Sequence, residues 1–241
     1  MGRSTKLVSN PAVKTFKWKN EKFDKKLKAV TKEAGWYYWD KSLGEGGEEV
    51  QLKCPARLMW LESMQSVTGY SKKEETGIYS NEIPASKDAI KDYGKHDLQV
   101  IIGNETVATG SWNDIKEEVK GMGGKYCIAV YGTMLNEEGE YEVVRFLFAG
   151  SSRNAWMDLA DRDKLLKNAV VITGTFEEIE MKTTDTYQAA ILKLDKATAE
   201  EIASADILYD KVEEFFKFQF SDDKPKAVAV IAEHVEEDGD Y

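Results

Sequence analysis

Tyr70, Lys72, Lys73 and Tyr79 set two phenol rings around two ammonium groups within one short stretch of chain. Aromatic faces stack on nucleobases at roughly 1–3 kcal/mol each, and lysines neutralise the phosphates between them. The same pairing recurs elsewhere: Lys53 and Arg57 precede Trp60, Lys125 precedes Tyr131, and Arg145 adjoins Phe146 with Arg153 just beyond. Lys53, Arg57, Lys72, Lys73, Lys125, Arg145 and Arg153 are therefore the expected phosphate contacts, and Trp60, Tyr70, Tyr79, Tyr131 and Phe146 the expected stacking rings. Strand alternation sends some of these rings inward. Trp60 shares a face with Leu58 and Cys54, and Tyr70 and Tyr79 have the alternative of packing a loop onto the domain.

Other chemistries lack their residues. Gly121 to Lys125 has the outline of a phosphate loop, but a Walker A pattern needs Gly at 119 and Ser or Thr at 126, where Val119 and Tyr126 stand. No G-x-G-x-x-G follows a strand, no G-x-S-x-G occurs, and no Cys/His nucleophile pair is supported. Cys54 and Cys127 with His96 and His234 cannot assemble a usual zinc site, so the cysteines read as small buried hydrophobes. The glutamates of the loop from Gly44 to Glu49 argue against a phosphate cradle there. Adjacent acids such as Glu48/Glu49, Glu117/Glu118 and Glu177/Glu178 arise readily among 43 acidic residues and single out no glycosidase or metal nuclease. The expectation is a binding protein, not an enzyme, with no cofactor; turnover by clustered acids and a divalent metal is the enzymatic alternative.

Several elements would position these side chains. From Val50 to Met64, Leu52, Cys54, Ala56, Leu58 and Trp60 alternate with Lys53, Arg57 and Met59, which predicts a long first strand interrupted or bulged near Pro55. Val67 to Ile83 reads as a loop and a short second strand, and Leu98 to Ile102 as a third, followed by a loop. Ser111 opens a helix with Trp112, Ile115, Val119 and Met122 on one face, its hydroxyl expected to accept from the N–H near Asp114. Gly121, Gly123 and Gly124 end it. Lys125 to Leu135 and Tyr141 to Ala149 then form a hairpin about Asn136 to Gly139.

Ser151 to Asn168 reads as a helix, and Ala169–Ile179 with Thr186–Leu194 as a second hairpin. Asp195 to Phe220 is the strongest helix, with Thr198 and Glu201 spaced as a capping box and a stripe of Ile202, Ala205, Tyr209, Val212 and Phe216 for core or a homodimer face. Ala227 to Ala232 is a short strand candidate. Three strands, a helix and two strands follow the order of the OB barrel. The expected fold is therefore α+β and mainly β: an OB-fold-like five-stranded barrel with inserted helices, an extra hairpin and a long C-terminal helix.

Charge is unevenly spread. Net charge is −10, yet residues 1–73 hold 15 Lys/Arg against 8 Asp/Glu, and the rest hold 18 against 35. The basic start carries Phe16, Trp18 and Phe23 among its lysines, followed by Trp36 to Trp39, four aromatics that cannot all face one side of a strand. Residues 1–49 are thus expected as a basic, aromatic-containing arm, 50–232 as one OB-like domain, and 233–241 as an acidic tail. No apolar run approaches the ~18 residues that span a bilayer and no signal-like segment opens the chain, so the expected site is the cytoplasm, a host's if the protein is viral.

With the barrel order and tail both in view, the chain resembles the phage-type single-stranded DNA-binding proteins. The tail here is Glu236, Glu237, Asp238, Gly239, Asp240 and Tyr241. The resemblance implies a role in DNA replication or recombination. It further implies that Glu236, Glu237, Asp238, Asp240 and Tyr241 recruit replication proteins and compete with DNA for the basic groove. The alternative of another class is a protein-interaction or virion-structural module whose oppositely charged ends bind neighbouring subunits, without nucleic acid.

Overall fold

The computed structural model describes residues 8–24, 27–43, 47–180 and 186–221. Its centre is the hairpin of β11 (Gly124–Leu135) and β12 (Tyr141–Ala149), as expected. The Asn136 side chain accepts from the N–H groups of Glu138 and Glu140 at 3.0 and 2.9 Å, closing the turn. Before it stands α2 (Trp112–Gly121), whose apolar face buries Ile115 and Val119. Ser111 does not cap α2 through its side chain: its hydroxyl donates to the Asp114 carboxylate, and the Asp114 N–H bonds the Ser111 carbonyl at 3.0 Å.

The strand beside this hairpin is β6 (Ala56–Ser71), with β5 (Glu48–Gln51) separated from it by the cis Cys54–Pro55 bond. Val67 to Ser71, expected as loop, is strand because it is paired on both edges, with β11 and with β7 (Thr76–Ser80). Gly69 permits this: a Cβ there would lie 2.4 Å from the Gly123 carbonyl oxygen. Further out lie the two-residue β8 (Ile83–Pro84), then α1 (Lys87–Tyr93), then β9 (Leu98–Ile102). The segment after β9, expected as loop, is a strand, β10 (Glu105–Gly110), in antiparallel pairing with β9.

The basic N-terminal stretch is not a separate arm. β1 (Lys14–Lys19) pairs in parallel with β12 and antiparallel with β4 (Gly35–Asp40), which pairs with β5. The reason is burial: Phe16 and Trp36 are 2% and 1% exposed against Phe146 and Phe148. Between them, β2 (Lys22–Asp24) and β3 (Ala29–Lys32) form a small two-stranded sheet. The main sheet runs β10-β9-β7-β6-β11-β12-β1-β4-β5. It is a large open sheet in a strand-rich mixed α/β fold, and a closed five-stranded barrel is not shown.

Both faces of the central strands are covered. On one face Ile128, Val130, Phe146 and Phe148 meet Trp156 of α3 (Gly150–Leu159) together with Ile172 and Leu192. Those two come from the expected second hairpin, β13 (Asn168–Glu180) and β14 (Thr186–Lys196), whose β13 also pairs with the start of β6. On the other face Met59, Met64, Ala129 and Tyr131 meet Val212 and Phe216 of α5 (Ala199–Gln219). The capping box is as expected, Thr198 Oγ1 accepting from the Glu201 N–H at 3.1 Å and Glu201 Oε2 from the Thr198 N–H at 2.7 Å. The helix expected over 151–168 is broken at Ala160, where Asp161 caps a new turn, α4 (Arg162–Leu165). The strand expected over Ala227–Ala232 lies outside the described residues.

Candidate nucleic-acid interface

Register brings part of the expected site together. Lys125 on β11 stands opposite Thr68 on β6, and Thr68 opposite Tyr79 on β7, so these three side chains share one rung of one face. Tyr70 lies two residues beyond Thr68 on the same face, and β6 then ends toward Lys72 and Lys73. Lys72, Lys73 and Lys125 are exposed, while both tyrosines are half-buried. The Tyr79 hydroxyl donates to the Gly103 carbonyl at 2.8 Å, which fixes its ring on the sheet. Lys73 pairs with its neighbour Glu74 at 2.8 Å, in solvent. Farther along the same face, Lys17 of β1 stands opposite Leu147 and Tyr37.

The other expected residues are elsewhere. Lys53 pairs with Glu137 at the far hairpin turn, at 2.6 Å with both side chains exposed. Arg57 is bound by Glu201 at 2.6 Å, by Asp195 and by the Lys196 carbonyl at 2.9 Å. Those carboxylates hold its guanidinium pKa above the ordinary value, and the guanidinium in turn lowers both carboxyls. Trp60 donates its indole N–H to Ser63 Oγ at 2.8 Å and packs half-buried against the core.

Two stacking expectations are corrected. Phe146 is 0% exposed, its ring stacked on Phe16 at 4.7 Å, and it offers no face to a base. Tyr131 is likewise 0% exposed, edge-on to Phe216 of α5 at 5.1 Å. Its hydroxyl donates to Glu82 at 2.7 Å and accepts from Asn10 at 3.1 Å, and burial raises its pKa well above the usual range. Arg145 joins this network, donating to Glu82 at 2.9 Å and to Thr15 at 3.1 Å. Its guanidinium is therefore held inside the fold rather than presented to a phosphate.

Arg153, on α3, lies over the Tyr126 ring at 5.7 Å, and Trp112 stands 5.2 Å from that ring on the other side of the sheet from Lys125. This cation–aromatic group was not legible in the sequence, where Trp112 and Tyr126 sit in separate elements. Cys127 is buried and Cys54 half-buried, both as free thiols, and burial raises both pKa values. Among the described residues no group of three or more His, Cys, Asp or Glu could hold a metal ion, and no helix is long and apolar enough to cross a membrane. Glu236, Glu237, Asp238, Asp240 and Tyr241 lie outside the described residues.

Comparison with protein-family models, with curated proteins and with solved structures finds no match to this chain.

Proposed function

We propose that this protein binds single-stranded DNA without regard to sequence, in replication or recombination of the phage type, and performs no catalysis. The observation that carries the proposal is the Lys125–Thr68–Tyr79 rung with Tyr70 beside it and Lys72 and Lys73 at the strand end. Rings fixed on a sheet next to exposed ammonium groups are what a base-stacking, phosphate-tracking surface needs. The topology is in keeping with it: β6 pairs with β7 on one edge and β11 on the other, and α2 falls between β10 and β11, as in the first half of an OB barrel. The residues from 233 onward would recruit replication proteins through acids and a terminal aromatic.

Titration of a fluorescent oligo-dT at several salt concentrations, beside the matching duplex, tests this. Preference for the single strand is expected, with affinity falling as salt rises. Tyr79→Ala and Tyr70→Ala should each weaken binding roughly tenfold. Lys125→Ala should shrink the salt slope by about 0.7, whereas Lys53→Ala should change neither. Equal affinity for the duplex, or no binding at low salt, would sink the proposal.

A protein-interaction module is favoured by a separate observation: Lys53, Arg57, Lys73 and Arg145 already hold acids of their own chain. It predicts stable oligomers without nucleic acid and no response of tryptophan fluorescence to oligo-dT.

A further inference from the structure

A cavity of about 300 Å³ opens between β6, α4 and α5, lined by Trp60, Glu62, Arg162, Leu166, Ile202, Asp206 and Tyr209 among others. It lies against the first half of β6, well before the strand's Thr68–Ser71 end. Its size falls at the low end of small-ligand sites.

Glu62 is the unusual member. Only 7% of the residue is exposed, and the carboxylate accepts one hydrogen bond among the described residues, from the Ser63 N–H at 2.8 Å. Buried carboxylates are ordinarily matched by a cation or several donors. The cation lining the same cavity, Arg162, is taken up by Asp88 at 2.6 Å. Asp206 adds a second acid to the lining, so the wall carries more negative than positive charge. Trp60 and Tyr209 bring aromatic surface, and Leu166 and Ile202, 50% and 37% exposed, form an apolar rim.

An acidic floor, aromatic walls and an apolar rim fit a cation that is weakly hydrated, planar and carried on a hydrocarbon stem. Guanidinium has those properties, stacking on aromatic rings and donating in pairs to a carboxylate, where an ammonium would hold its water more tightly. We propose that this cavity binds an alkylguanidinium group against Glu62, with its methylene stem along Trp60, Leu166 and Ile202. The group comes either from a free small molecule or from an arginine side chain of another protein.

Glu62 stays above the ordinary glutamate range chiefly through burial. Asp88 and Asp92 of α1 add to the rise, while Arg162 of α4 and the Ser63 N–H oppose it. Also facing it are Asp206 and Tyr209 of α5 and, hydrogen-bonded to that tyrosine, Tyr93 of α1. A carboxyl whose pKa rises on folding takes up a proton as the chain folds, so its contribution to stability falls as pH climbs past the unfolded value. Glu62→Gln is therefore expected to be more stable than the parent at neutral pH, with the gain vanishing below about pH 4, where the carboxyl is protonated folded or unfolded.

Agmatine and the capped tripeptide Gly-Arg-Gly serve as probes, followed by calorimetry and by the thermal midpoint of the full chain. Saturable binding of agmatine is expected, weakened roughly tenfold or more in Glu62→Gln, with N-carbamoylputrescine, which keeps agmatine's ammonium but has a neutral urea in place of the guanidinium, not binding. Binding of both probes assigns a guanidinium from either source; a tripeptide that binds tighter than agmatine assigns the arginine of a protein partner, and agmatine alone a free ligand. Equal binding by parent and Glu62→Gln, an equal effect of sodium chloride, binding of inorganic phosphate in place of agmatine, or no saturable binding of either probe would overturn the proposal. Oligo-dT affinity is read on the same samples, so failure here and failure of the DNA-binding proposal are separate results.

Discussion

Phe146→Ala should lower the stability of the fold by about 3–5 kcal/mol, read as a lower urea midpoint at unchanged slope. The ring is fully buried, stacked on Phe16 and edge-on to Trp36 at 5.1 Å, so truncation opens a cavity among side chains that cannot all move into it. Phe146→Leu keeps most of the volume and should cost about 1–1.5 kcal/mol. Where either variant remains folded, its affinity for oligo-dT should equal the parent's. Loss of affinity at intact stability would return Phe146 to the binding surface and displace it from the core.

Arg145→Ala should also act through the fold. The guanidinium and the Glu82 carboxylate are 17% and 14% exposed, and their 2.9 Å contact anchors a network that includes Thr15 and Tyr131. Removing one partner strands the other in a poorly hydrated place, at a cost of about 2–3 kcal/mol, reduced from the fully buried case because some water reaches both groups. Replacing both with apolar residues, as Arg145→Met with Glu82→Leu, should recover much of the loss, because no orphaned charge remains. Urea unfolding of the single and double variants measures the coupling. A single variant as stable as the parent would show that the pair does not hold the sheet.

Why some elements were readable and others not is visible in particular residues. The β11–β12 hairpin, α2, the β13–β14 hairpin and the capping box of α5 rest on local patterns, namely turn residues, cap spacing and periodicity. Val67 to Ser71 and the basic N-terminal stretch are strands because distant edges accept them, and no local pattern reports an edge. Lys14 to Lys19 does alternate polar with Phe16 and Trp18, a signal masked by its lysines. Gly103–Asn104, within the segment expected as loop, is the two-residue turn of the β9–β10 hairpin.

The site was harder for a related reason. Cys127 to Met134 is buried at every position, since α3 and α5 cover opposite faces. Alternation then carries no inside-or-outside information, and Tyr131 and Phe146 could not be told from surface rings. At the other end of β11 the pattern is open again: Lys125 is exposed and Tyr79, on the same rung, half-buried.

The parallel pairing of β1 with β12 has a kinetic consequence. Lys14 meets Glu142 across 128 residues of chain. A contact of that span is costly to close before the strands between are in place, so it belongs late in folding. During synthesis the first strand emerges long before its partner, and until then it is an unsatisfied edge with two aromatic side chains. Its three lysines, Lys14, Lys17 and Lys19, are the kind of charge that keeps such an edge from pairing with another nascent chain.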